Sequence, residues 1–195
     1  MDREKIRDFF NRLAPEWDAN MVRNEEIIST ILDNVHVKEG CDVLDVACGT
    51  GVLIPDYLKR KVRSVIGIDL SEKMIEIAKA KFETDGRVTL VCDDVTEHVF
   101  ESRFDSIIVY NALPHFGDFE ELIRILSGML KEDGYLTIAH GASRDSINHH
   151  HSNVSSALKK ELPVIEELTE IMSRYLEVTV AISDERMYQA AGRKK

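Results

Sequence analysis

The chain has 195 residues, 44% hydrophobic and 31% charged, which is ordinary globular composition and enough for one full core. Its 25 basic and 35 acidic residues leave a formal charge of −10, which argues against non-specific nucleic-acid binding and against attraction to an anionic membrane. There is no signal-like N-terminus and no apolar run of roughly 18 residues, so a soluble, cytoplasmic protein is expected.

In chain order, residues 1–37 carry two helical patterns. The first holds Ile6, Phe9, Phe10 and Leu13 and is expected to be interrupted at Pro15 and Trp17. The second runs from about Asn24 to Val35, with Ile27, Ile28, Ile31, Leu32 and Val35 on one face. Neither belongs to the strand–helix alternation that follows, so both read as an N-terminal helical cap. Trp17, the single tryptophan, is either a staple between cap and core or a wall over a ligand.

Asp42–Val46 reads as a buried strand, followed by a Gly49-Thr50-Gly51 turn and a helix that accepts Pro55 in its first turn. Ser64–Ile68 is a second strand ending at Asp69, and Ser71 caps the helix after it. Arg87–Cys92 and Phe104–Tyr110 are strands three and four. Asp118 with Glu121 resembles a capping box at the next helix. A turn at Glu132-Asp133-Gly134 leads into strand five, Tyr135–His140. Gly141–Asn153 is polar and histidine-rich, Ser156–Lys160 is helical in pattern, and Pro163 opens a further helix. Leu176–Ile182 and Arg186–Ala191 read as an antiparallel hairpin. The expected architecture is one α/β domain, 1–195, with a mostly parallel sheet: cap 1–37, core 38–140, and a substrate-side segment plus hairpin 141–195.

Asp45, Asp69 and Asp94 all stand at strand ends, which share one edge in a doubly wound sheet. Asp69 lies 20 residues after Gly49, the spacing of an acid that accepts from ribose hydroxyls. No third glycine follows Gly51, which disfavours a dinucleotide pyrophosphate. Cys41, Cys48 and Cys92 lack metal-ligand spacing and are expected to be free thiols.

Val43 through Leu53 resembles the first motif of class I S-adenosylmethionine-dependent methyltransferases, with Ala47 where that family usually has glycine. Gly67 through Met74 resembles the second, and Asp93-Asp94-Val95 sits at its adenine-binding acid. Phe104–Val109 and Leu130–Leu136 are similar to its fourth and fifth strands. Phe9–Asp18 resembles the entry segment of the menaquinone/ubiquinone C-methyltransferase-like branch. The resemblance implies a Rossmann-like doubly wound, seven-stranded sheet of order 3-2-1-4-5-7-6, with S-adenosylmethionine as cofactor. It implies Asp45, Ala47, Gly49 and Gly51 at the methionine moiety and Asp69 on the ribose hydroxyls. Leu70, Met74, Asp94 and Val95 would hold the adenine. Asn111 would lie beside the sulfonium, and Trp17 would close the cofactor from the cap.

Where the acceptor must lose a proton, His115 and His140 are the candidate bases, each following a strand end; either can equally be structural. If residues 143–151 form a helix capped by Ser143, Arg144, Asn148 and His151 align along one face suited to a polar small-molecule acceptor. On that helix His149 and His151 diverge by about 200° and cannot share a metal, whereas extended they can join His140. No metal is expected. The leading expectation is a methyltransferase acting on a small-molecule acceptor, without nucleic acid or membrane, as a monomer or homodimer. A non-enzymatic S-adenosylmethionine-binding sensor or partner protein and a Rossmann oxidoreductase are the alternatives.

Overall fold

The computed structural model describes residues 2–150 and 158–195. Seven strands form one sheet: β1 (Asp42–Val46), β2 (Ser64–Asp69), β3 (Val88–Cys92), β4 (Phe104–Tyr110), β5 (Leu130–His140), β6 (Leu176–Ser183) and β7 (Tyr188–Lys194). Their order is β3-β2-β1-β4-β5-β7-β6, as expected. The first five pair in parallel, and β7 runs antiparallel between β5 and β6. The chain reverses direction across the sheet between β1 and β4, which opens a crevice at their carboxyl ends.

Helices flank the sheet: α1 (Arg3–Asn20), α2 (Glu25–Asp33), α3 (Ile54–Lys59), α4 (Glu72–Phe82), α5 (Phe119–Gly128), α6 (Arg144–His150) and α7 (Ile165–Ser173). The alternation of side chains along the strands sorts the core onto two faces. Leu44, Val46, Ile107, Val109, Leu136 and Ile138 pack with Leu122, Ile123 and Leu126 of α5 and Leu168 and Met172 of α7. Val43, Val65 and Ile108 pack with Ile28 and Leu32 of α2 and Ile54 and Tyr57 of α3. Ser71 Oγ accepts from Met74 N at 3.2 Å and Asp118 Oδ1 from Glu121 N at 3.0 Å, so both expected caps form.

Four expectations are corrected. Helix α1 runs through Pro15 to Asn20, because its second half is held from outside. The Thr50 hydroxyl donates to Asp18, whose other oxygen pairs with Lys81 at 2.8 Å. Helix α2 is more than a cap: its Ile27, Ile28, Ile31 and Leu32 are all buried, whereas α1 buries only Ile6 and Ala14. Strand β5 starts at Leu130, and the expected turn is a bulge inside it. Phe104 pairs with Leu130 but Ser106 with Tyr135, and Asp133 has φ +61°. Strand β7 begins only at Tyr188, because Asp184 Oδ1 accepts from the Arg186 and Met187 amides, each at 2.8 Å, and prolongs the turn. Of the pattern at Ser156–Lys160, Leu158–Lys160 is irregular and the rest lies outside the described residues.

Gly51 has φ +83°, and a Cβ there would lie 2.7 Å from Phe82 Cε2 and 2.9 Å from Ile54 Cδ1. Left-handed strain and overpacking together make Gly51→Ala destabilising by about 2–4 kcal/mol, measurable as a lower urea midpoint.

Candidate functional site

A cleft of about 660 Å³ lies between α1 and the carboxyl ends of β1, β2, β3 and β4. Asp45 is the penultimate residue of β1, Asp69 ends β2, Asp94 follows β3 and Asn111 follows β4, and all four line the cleft. Strand geometry explains the convergence, since parallel neighbours deliver their last residues to one edge.

The glycine turn between β1 and α3 is strongly bent. Ala47 has φ +54° and Gly49 φ +56°. Ala47 thus holds a conformation in which a side chain costs roughly 1–2 kcal/mol. Gly49 faces the cleft, for a Cβ on it would meet Trp17 Nε1 at 3.8 Å. Gly51 faces the opposite way, against Phe82 and Ile54, and is a packing residue rather than part of the cleft wall.

Asp69 ties the turn to α4. Its Oδ2 accepts from Gly49 N at 2.8 Å and its Oδ1 from Ser71 N at 2.9 Å. Burial raises its pKa, and these backbone donors act against the rise. Asp45 is only 2% exposed, and among the described residues its Oδ2 has no hydrogen-bond partner. Burial, and then the charge of Asp69, pushes its pKa up to about 8. The same burial and the same two carboxylates push the Cys48 thiol up, so it is no nucleophile.

At the far end, Leu70, Met74, Asp94 and Val95 line the cleft beside Arg3 and Ile6 of α1. Above it, Trp17, Phe10 and His115 form a continuous edge-to-face series. The Phe10 ring centroid lies 5.8 Å from that of Trp17 and 4.9 Å from that of His115. Trp17 is therefore a wall of the cleft. His115 belongs to a short 3-10 turn, Leu113–His115, and its Nδ1 lies 2.9 Å from Leu158 O. Burial lowers its pKa. Asn111 has φ +54°, and its Oδ1 accepts from Gly141 N at 3.0 Å, joining the ends of β4 and β5.

Other expected residues are placed elsewhere. His140 ends β5, but it is buried against Tyr188, 6.1 Å between ring centroids, and does not line the cleft. Ser143 does cap α6, accepting from Ser146 N at 3.3 Å. Yet the polar face of α6 serves the fold. Arg144 Nε donates to Leu162 O at 2.9 Å, and Asn148 bonds both Leu162 N, at 2.8 Å, and Leu162 O, at 3.2 Å. His149 is exposed, and His151 lies outside the described residues. No cluster of three metal-ligating side chains occurs among the described residues.

Sequence reasoning missed Arg3, Arg23, Tyr110 and Phe116, which also line the cleft. Tyr110 was findable as the last residue of β4. Arg23 was not, because beside its local pair with Glu25 the contacts that bring it to the cleft come from afar: Nη2 lies 2.8 Å from Asp56 Oδ2 and Nη1 donates to Val52 O.

Among known proteins, residues 43–134 match the family described as Methyltransferase domain. A malonyl-[acyl-carrier protein] O-methyltransferase of Acetivibrio thermocellus is 30% identical over 142 residues, 71% of this chain and 50% of that protein. A demethylmenaquinone methyltransferase of Staphylococcus saprophyticus is 28% identical over 142 residues, 69% of this chain and 61% of its own. The chain thus spans about half the length of the first curated relatives it matches, 48–51%. The N-methyltransferase NodS of Bradyrhizobium japonicum, solved with S-adenosyl-L-homocysteine, superposes with a TM-score of 0.75 at 15% identity, covering 97% of this chain and 98% of that one, which is a likeness of fold. Residues 43–134 thus carry a methyltransferase domain, and the sheet order, the acid-lined crevice and the glycine turn of the chain fit that assignment.

Proposed function

We propose that this chain transfers a methyl group from S-adenosylmethionine to a small-molecule acceptor. One observation carries the reading: at the switch point, the carboxyl groups of Asp45 and Asp69 and the cleft-facing Gly49 line one crevice. A positively charged, donor-rich adenosyl ligand without a pyrophosphate fits that donor-poor, acid-rich edge. Relatives named for malonyl-acyl-carrier-protein and for demethylmenaquinone favour a small acceptor group, and the formal charge of −10 disfavours nucleic acid. Three free cysteines fit a reducing cytoplasm.

Asp69 would accept from the ribose hydroxyls, Asp94 and Val95 with Leu70 and Met74 would hold the adenine, and Asp45 and Gly49 the methionine end. Bound there, S-adenosylmethionine supplies a methyl already activated on a sulfonium. The protein's own task is then alignment of the acceptor and exclusion of water, and alignment alone contributes several kcal/mol. Trp17 and Phe10 close the cleft from α1. His115 serves as base where the acceptor must lose a proton. A proton on Nδ1, donated to Leu158 O, makes Nε2 the basic nitrogen, and burial keeps the ring neutral at pH 7.

Calorimetry with S-adenosylmethionine, S-adenosylhomocysteine and NAD, followed by an acceptor screen read by S-adenosylhomocysteine release, tests the proposal. Binding of the first two and turnover of an acceptor are expected. Binding without turnover on any acceptor indicates a sensor, and binding of NAD alone refutes the reading. For an acceptor that loses its proton to His115, the rate should rise with pH to a plateau, with a midpoint below the ordinary histidine value. His115→Gln should erase that limb and lower the rate by about 10²–10⁴-fold.

A further inference from the structure

Helix α1 is attached unlike any core helix. It buries only Ile6 and Ala14 of its 18 residues, whereas α2 buries four of its nine. What seats α1 is polar contact with the loops that carry the site. Asn11 Oδ1 accepts from Ser71 Oγ at 2.6 Å, and the Thr50 hydroxyl of the glycine turn donates to Asp18. Its first turn sends Arg3 to the residues after β3. Arg3 Nε lies 2.8 Å from Asp94 Oδ2, Nη2 donates to Thr96 Oγ1 at 3.2 Å, and Nη1 donates to Glu97.

Asp94 is held on both sides. Its Oδ1 accepts from Thr96 N at 2.8 Å and Thr96 Oγ1 at 2.7 Å, and its Oδ2 faces Arg3. A carboxylate oxygen has two acceptor positions, so Oδ2 keeps one beyond the guanidinium. Both Arg3 and Asp94 line the cleft. Arg3 comes from a segment 91 residues away in sequence, and it arrives only when α1 is in place.

We propose that Arg3 is a positioning residue for base recognition: it fixes the Asp94 carboxylate so that Oδ2 accepts from the adenine amino group, which makes adenine reading complete only with α1 seated. This rests on the assignment of Asp94 to the adenine under the proposed function. The planar fork of arginine matches three acceptors on Asp94, Thr96 and Glu97, a geometry one ammonium cannot reproduce. The Arg3 side chain is 52% exposed, and an ion pair so open to solvent contributes little to folding. Its removal is therefore felt in ligand discrimination rather than in stability.

The test compares S-adenosylhomocysteine with S-inosylhomocysteine, in which a carbonyl replaces the amino donor. Wild-type protein should prefer the adenine ligand. Arg3→Ala should lose roughly 10-fold in affinity for it, the scale of one charge-assisted hydrogen bond, and only about twofold for the inosine ligand. Arg3→Lys should restore part of the loss, and thermal midpoints should stay together. No loss in Arg3→Ala, or an equal loss for both ligands, overturns the proposal. Asp94→Ala separates the two levels. If it abolishes the preference while Arg3→Ala keeps it, the role of Arg3 alone fails. If Asp94→Ala keeps the preference, the adenine assignment beneath it fails too.

Discussion

Replacing Asp69 by alanine is expected to weaken S-adenosylhomocysteine binding by about 10²–10⁴-fold. Under the proposed function, two charge-assisted bonds to the ribose hydroxyls, worth roughly 1.5–3 kcal/mol each, would go with the carboxylate. A second loss adds to the first. Asp69 also accepts from Gly49 N and Ser71 N, so the variant frees the glycine turn and the start of α4 together. Asp69→Asn keeps one carbonyl oxygen but turns an NH2 toward a backbone donor, and should fall between wild type and alanine. Calorimetry reads all three; an alanine variant within threefold of wild type would remove Asp69 from the site.

Asp45 gives the second large effect, in stability against pH. Burial pushes its pKa in the folded protein up to about 8, well above the ordinary carboxylate range, so the folded state holds a proton that the unfolded chain releases. A raised carboxyl pKa favours the fold at low pH and disfavours it as pH climbs. Between about pH 5 and pH 7.5 this group alone removes roughly 1.4 kcal/mol per pH unit, and the loss levels off above pH 8. For a chain of this size that is about 3–5 °C of melting temperature per unit. Asp45→Asn removes the titration, so its melting curve should stay flatter from pH 5 to pH 9 and lie above wild type at the alkaline end. The same variant should bind the cofactor less tightly. A cationic ligand favours the ionised carboxyl, so uptake of S-adenosylmethionine near pH 7 should release a proton. Calorimetry in buffers of different ionisation enthalpy measures that release. Parallel melting curves for wild type and variant would refute the assigned shift.

The strands were legible because a parallel sheet buries both faces and writes near-continuous apolar runs such as Val43–Val46 and Ile107–Val109. Caps were legible at Ser71 and Asp118 for an equally local reason, a side-chain oxygen three residues before the amide it accepts from. Pro15 misled because its local penalty is outweighed by contacts from Thr50 and Lys81, which no window around residue 15 contains. The polar face of α6 is a different case. Arg144 and Asn148 do share a face, and it meets the Leu162 backbone.

The sequence by itself determined the fold class and which strand ends meet at the cleft. Strand ends, a glycine turn and an acid 20 residues later are short-range patterns, and the topology of a doubly wound sheet brings them to one edge without further information. Only the tertiary structure decided which side chains face the cleft. Gly49 turns toward Trp17 while Gly51 turns toward Phe82. His115 enters the cleft while His140 is sealed against Tyr188. Arg3 reaches Asp94 across the whole cofactor core. The physical reason is the same in each case: strand and turn formation follows from neighbours in sequence, whereas the direction of a side chain at an edge is set by packing partners that folding alone brings together.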